Sequence, residues 1–269
     1  MNEIDRTKTV TELFDLTGRT ALVTGGSGWL GNALCEALAE AGANVVVSSR
    51  NAERAETVAN SLPSIGHASH QSVELDHLCA DSIQQGFDNA VNATGQVDVL
   101  VNNGLALVSG DVTNITSDDF AQHQVNNAGY FELARRFRDH VVDRSATGSV
   151  INIGSMYGQV ASYPQSYEGI CSASSVAYHT LKAGTIHMTR HLAVYWAKDP
   201  VRVNCLSPGA FPNPASAPAE MIERLEERVP MQRMGVPEEL KGAIVFLASD
   251  ASSYMTGQNI TIDGGWTAW

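Results

Sequence analysis

The sequence predicts an α/β fold: a doubly wound parallel sheet with helices on both faces, in a single domain. Three observations predict it. Short, nearly continuous apolar runs recur along the chain, as strands covered on both faces require. Amphipathic stretches at helical spacing lie between them. A glycine-rich turn joins the first run to the first such stretch.

The apolar runs are Ala21–Val23, Val45–Val47, Val99–Val101, Val150–Ile153, Val201–Leu206 and Asn259–Ile262. Leu30, Leu34, Ala37, Leu38 and Ala41 form one helical stripe, ended by Gly42. Ala177, Leu181, Gly184, Met188, Leu192 and Tyr195 form another. A repeating β-α order places the strands parallel and the helices on both faces. Residues 1–15 form an N-terminal extension and residues 16–269 the domain. No linker, repeat or low-complexity stretch interrupts it, and the Pro- and Ala-rich Pro208–Pro218 reads as a loop or lid.

The chain has 269 residues, 43% of them apolar, which suffices for a buried core. A net charge of −12 argues against a nucleic-acid or anionic-membrane partner. No apolar run reaches the length of a membrane span, and residues 1–19 are polar and acidic, unlike a secretory or transit peptide. Cys35, Cys79, Cys171 and Cys205 are scattered without ligand spacing and read as reduced thiols, which places the protein in the cytoplasm. His187 and His191 lie four apart, but no acid or third ligand completes a set, so no metal is expected.

Thr24-Gly25-Gly26-Ser27-Gly28-Trp29-Leu30-Gly31 follows the first strand and opens the first helix. Gly26-x-Gly28-x-x-Gly31 fits a dinucleotide fingerprint of the Rossmann type. Its glycines permit a tight turn and close approach to a pyrophosphate, and the helix end offers free N–H groups. Such turns also serve as plain connections; the position after the first strand of a β-α-β unit is what favours the dinucleotide. Arg50 ends the second strand where an acid would bind a ribose 2′-hydroxyl. An arginine there accommodates a 2′-phosphate, so NADP(H) is expected in preference to NAD(H).

Tyr178 and Lys182 lie four apart, on one face of a helix. An ammonium beside a phenol favours phenolate and makes it usable in proton transfer. Alone, the pair reads first as a solvated helix face.

Taken in order, these and further motifs resemble the short-chain dehydrogenases/reductases in their compact form, from about Leu16 to Trp266. The resemblance rests on the glycine turn, Asp76, Asp98-Val99-Leu100-Val101-Asn102-Asn103, Val125-Asn126 and Ile151-Asn152-Ile153-Gly154-Ser155. It extends through Tyr178 and Lys182 to Val203-Asn204-Cys205-Leu206-Ser207-Pro208-Gly209 and Gly257-Gln258 … Asp263-Gly264-Gly265. It implies hydride transfer between a nicotinamide and a carbonyl or secondary alcohol. It also implies a tetrad. Asn126 would hold a relay water, Ser155 the substrate oxygen and Tyr178 the proton; Lys182 would bind the ribose and lower the tyrosine pKa. Gly25, Ser27, Gly28, Trp29, Leu30, Gly31, Arg50, Pro208 and Gly209 would line the cofactor, with Asp76 at the adenine and Asn102 on the adenosine ribose side. A homotetramer or homodimer is implied, with the long helices flanking the fifth strand at an interface.

The chain departs from the family pattern in three places. Gly28 and Trp29 alter the turn, and Gly28 stands where NADP-dependent members often carry a base. Gly104 and Leu105 follow Asn103, and Leu105 is a candidate substrate contact. Ser155 and Tyr178 are 23 residues apart, further than the family pattern implies. The intervening Met156–Ser175 is expected either to shape a polar, sugar-like substrate site through Tyr163, Tyr167 and Glu168, or to be a surface excursion or subunit contact. Phe211 is a further candidate substrate contact, Asn213 a weaker one. Trp266 and Trp269 are expected to be buried, in the core or in an oligomer. A 3-oxoacyl-thioester reductase is the alternative activity, disfavoured by the lack of a basic patch; a non-catalytic dinucleotide sensor is the alternative class.

Overall fold

The computed structural model describes residues 7–269. Seven parallel strands form one sheet in the order β3-β2-β1-β4-β5-β6-β7. They are β1 (Thr20–Val23), β2 (Asn44–Ser49), β3 (Gln71–Glu74), β4 (Val99–Asn102), β5 (Gly148–Ile153), β6 (Val201–Pro208) and β7 (Asn259–Ile262). β1, β4 and β5 are buried at every position, which is why each reads as a continuous apolar run. β3 has one buried residue, Val73, and no run marks it in the sequence.

Helices cover both faces. α2 (Trp29–Glu40), α3 (Ala52–Ser61) and α8 (Lys241–Ala248) pack on one, where Leu34, Leu38, Ala55 and Ile244 meet Val23, Val45 and Val101. α4 (Ala80–Thr94), α5 (Ser117–Asp143) and α6 (Val176–Tyr195) cover the other, with Phe87, Leu133, Phe137 and Leu192 against Leu22, Leu100 and Val150. The predicted α6 stripe holds at Ala177, Leu181 and Leu192 but fails at Tyr195, which is 78% exposed at the last helical position.

The N-terminal extension was expected over residues 1–15; residues 1–6 of it lie outside those described. Its α1 (Val10–Phe14) is closed by a capping box between Thr9 and Glu12 and packs Phe14 against Phe246 of α8. α7 (Ala219–Glu226) follows the predicted Pro208–Pro218 loop. A third apolar cluster joins Met156, Tyr157 and Tyr167 to Leu225, Val229 and Trp266. Trp266 is therefore buried in the chain's own core, whereas Trp269 is 76% exposed.

β1 and β4 are neighbours, although the chain leaves β1 toward β2 on one side and enters β4 from the other. A crevice opens at this reversal, outside the carboxyl ends of the strands. Among the described residues, no helix is long and apolar enough to cross a membrane.

Candidate active site

The crevice has a volume of about 580 Å³, within the range of small-molecule sites. The glycine turn forms one wall. Gly25 has φ +61°, and a side chain there would lie 2.7 Å from Gly104 Cα. A side chain at Gly31 would meet the Gly25 carbonyl at 2.2 Å. Both close approaches therefore require glycine. Gly28 caps α2 without a side-chain hydrogen bond, leaving the helix's first N–H groups facing the cleft. Trp29 is partly exposed and ties the turn to the loop after β6, its Nε1 donating to the Phe211 carbonyl at 3.1 Å.

β4 supplies the opposite wall. Thr24 Oγ1 accepts from the N–H groups of Asn103 and Gly104, both at 2.9 Å. Asn103 Nδ2 donates to the carbonyls of Thr24 and Gly25 at 2.9 and 3.1 Å. The side chain at this wall is that of Asn103, not of Asn102 as expected. Strand alternation turns Asn102 into the sheet, fully buried, where its amide donates to Asn152 Oδ1 at 2.9 Å and to the Tyr130 carbonyl at 3.2 Å.

Arg50 and Arg54 border the cleft beyond Ser49, at the carboxyl end of β2. Lys182 adds a third cation, and no carboxylate lines the cleft among the described residues. Asp76 stands beside it, with Oδ1 accepting from Leu78 N–H at 3.0 Å. Leu75 and His77 face the cleft in its place. An electropositive cleft with free helix N–H groups and a glycine cradle fits a dinucleotide bearing a pyrophosphate.

Ser155, Tyr178 and Lys182 form the floor, with Leu105, Pro208, Gly209 and Phe211 around them. Ser155 ends the extended run of β5, and its Oγ accepts from Tyr157 N–H at 3.1 Å. Ser175 caps α6, accepting from Tyr178 N–H at 3.1 Å, and so places the tyrosine in the first turn. Ser155 lies near enough to the Tyr178 phenol to favour its ionised form. Lys182, one turn on and buried, donates to the Ile153 carbonyl at 2.7 Å and lies 5.9 Å from the Tyr178 ring centre.

Electrostatics depart from the expectation of a depressed tyrosine. Burial holds the Tyr178 phenol above its ordinary value; the nearby Ser155 opposes this, and Tyr167 reinforces it. Burial also pushes the Lys182 ammonium down to about 8. Its bond to Ile153 holds the ammonium at the end of β5 rather than on the phenol.

Asn126 is buried behind the floor, and its side chain is fully occupied. Oδ1 accepts from Ala106 N–H at 2.9 Å and from His77 Nε2 at 2.8 Å; Nδ2 donates to the carbonyls of His123 and Ala106 at 2.8 and 3.1 Å. The side-chain amide is thus taken up by protein partners. His77, His123 and Asn103 were not singled out in the sequence. Their signal lies in position, next to Asp76, one turn before Asn126 and next to Asn102.

Tyr163 and Tyr167 lie apart from the cleft, contrary to expectation. Tyr167 is buried with its hydroxyl on that of Tyr157 at 2.9 Å, and Tyr163 packs against Trp266 with ring centres 5.4 Å apart. Glu168 is exposed, and its carbonyl accepts from Arg224 at 2.7 Å. His187 and His191 join no metal-ligand cluster among the described residues.

The family profile described as enoyl-(acyl carrier protein) reductase matches residues 27–267. The chain is 35% identical to a D-arabinitol 2-dehydrogenase (ribulose-forming) of Scheffersomyces stipitis, over 95% of this chain and 96% of that one. It is 36% identical to a galactitol 2-dehydrogenase of Rhizobium johnstonii, over 95% and 98%. A solved gluconate 5-dehydrogenase of Burkholderia cenocepacia, in complex with NADP and tartrate, superposes with a TM-score of 0.85 at 29% identity, covering 97% of this chain and 100% of that one. With its 3-2-1-4-5-6-7 sheet and a dinucleotide cleft floored by serine, tyrosine and lysine, the chain belongs to the short-chain dehydrogenase/reductase family, as an NAD(P)-dependent oxidoreductase acting on CH–OH groups.

Proposed function

We propose that this chain is a polyol dehydrogenase and ketose reductase that prefers NADP(H). The carrying observation is the convergence of Ser155, Tyr178 and Lys182 on one cleft with the glycine turn and Arg50. The polyol reading is supported by the relatives named above, an arabinitol and a galactitol 2-dehydrogenase.

When bound, NADP(H) supplies or accepts the hydride. The chain's residues handle the oxygen of the reacting carbon. Tyr178 takes the hydroxyl proton during oxidation and returns it during reduction. Ser155 donates a hydrogen bond to the same oxygen and offsets the charge that develops there. Lys182, held at the end of β5 by the Ile153 carbonyl, would bind the ribose hydroxyls of the cofactor. Asn126 holds the 105–106 segment and His77 in place from behind. Arg50 and Arg54 receive the 2′-phosphate.

The test is steady-state oxidation of D-arabinitol and galactitol with NADP⁺ and NAD⁺, and reduction of a 3-oxoacyl thioester with NADPH. The expected order of kcat/KM is polyol above thioester and NADP⁺ above NAD⁺. A faster thioester reaction overturns the substrate assignment. An Arg50→Ala variant that keeps the wild-type cofactor ratio overturns the role of Arg50. If Tyr178→Phe turned over as fast as wild type, the proton-transfer assignment would be wrong, and the dinucleotide-sensor reading would gain.

A further inference from the structure

The long excursion between Ser155 and Tyr178 returns to its own starting point. It leaves β5 through a 3-10 turn at Met156–Gly158 that is pressed against α6: a side chain on Gly158 would lie 2.7 Å from the Lys182 carbonyl. Tyr157, in that turn, donates its N–H to Ser155 Oγ at 3.1 Å. Its ring stacks on His179 with centres 4.7 Å apart and planes within 21°. Trp266 closes the edge of the ring at 6.1 Å. Ten residues further on, the Tyr167 hydroxyl bonds that of Tyr157 at 2.9 Å. Arg224 of α7 clamps the outside of the excursion through the carbonyls of Glu168 and Gln165, at 2.7 and 3.3 Å.

We propose that Tyr157 and Tyr167 are a positioning pair for Ser155, and that Met156–Ser175 acts on the reaction from behind the serine. The chain of contacts is short. The Tyr167 hydroxyl fixes the Tyr157 ring, the ring fixes the turn, and the Tyr157 N–H occupies one lone pair of Ser155 Oγ. With one lone pair so engaged, the serine hydroxyl has a set direction for its own proton. Two buried hydroxyls with no other side-chain partner strengthen each other in these apolar surroundings, so losing one leaves the other unsatisfied. This inference rests on the assignment of Ser155 and Tyr178 to the reaction, though not on the identity of the polyol.

Tyr167→Phe removes one oxygen and tests the proposal in two ways. Amide exchange of the Tyr157 N–H, followed by NMR in the full chain without substrate, is expected to accelerate about tenfold while core amides stay unchanged. In oxidation of D-arabinitol with NADP⁺, kcat is expected to fall about tenfold with KM and NADP⁺ Kd little changed. In a Ser155→Ala background the same substitution is expected to have no further effect on kcat. Unchanged exchange at Tyr157 overturns the proposal whatever the substrate proves to be. A raised KM at constant kcat overturns it in favour of direct substrate contact, and additivity with Ser155→Ala overturns it in favour of an independent role. If D-arabinitol is not oxidised at all, the polyol reading fails and the exchange measurement still decides the pair.

Discussion

Tyr178 stands half-buried at the head of α6, beside Ser155, with its phenol held above its ordinary value by burial. Tyr178→Phe is expected to lower kcat at least ~100-fold, measured alongside an unchanged cofactor Kd by fluorescence titration. Lys182 gives a prediction of the opposite kind, in stability. Its ordinary value is near 10.5 and its folded value about 8. Between these the unfolded chain binds more protons than the folded one, so this group makes stability rise with pH across that window. The buried thiols of Cys35 and Cys205, pushed up by burial, act oppositely in the same window, so chemical unfolding from pH 8 to 10.5 is expected to show a more positive slope in wild type than in Lys182→Met. The sequence made Tyr178 and Lys182 legible because helical spacing alone brings them together. It could not reveal that burial, rather than the lysine, dominates the phenol, because burial is set by Ser155, Tyr167 and the third cluster together. Asn102 and Asn103 show the same limit: adjacent strand residues point oppositely, and two asparagines in a row conceal which one faces the cleft.

Among elements, the glycine turn and α2 are tightly constrained. Gly31→Ala places a carbon 2.2 Å from the Gly25 carbonyl, inside backbone rather than a flexible side chain. Overpacking of this kind costs about 1–3 kcal/mol, and thermal unfolding should show it together with weakened cofactor binding. Buried strands were legible from their runs, whereas β3 was not, since Gln71 and Glu74 face solvent and only Val73 is buried. The Met156–Ser175 excursion was legible as extra length, not as a closed loop. Its closure depends on a hydroxyl pair, a histidine stack and Arg224, none of which has a periodic signature.

Across the whole molecule, acid sensitivity follows from buried and half-buried histidines. His70 Nδ1 and His140 Nε2 accept from the N–H groups of Val45 and Val97, both at 3.2 Å, and His123 Nδ1 from Val108 at 3.4 Å. Protonation would remove each acceptor, and burial lowers the values of all three, and of His77 and His179, below the usual 6.5. Their contribution is complete above pH 6.5 and is lost as pH falls toward the folded-state values. The melting temperature is therefore expected to decline below about pH 6.5, before the carboxylates titrate. A flat profile down to pH 5 would contradict it. The exposed Val125 and Phe131 on α5 and Val176, Val194 and Tyr195 on α6 suit the proposed homo-oligomer through these helices. Light scattering of wild type and Phe131→Glu is expected to show a multimer and its loss.

The cofactor walls come from distant parts of the chain: Thr24 and Gly25 after β1, Asn103 and Gly104 after β4, locked by hydrogen bonds spanning 79 and 80 residues. Neither wall exists until those strands pair, and pairing so distant in sequence is slow because its loop-closure entropy is lost before the contacts form. A nascent or partly refolded chain therefore has no affinity for the nucleotide. Ligand capture becomes a late reporter of folding, and its recovery in a stopped-flow refolding trace should lag helix formation rather than accompany it.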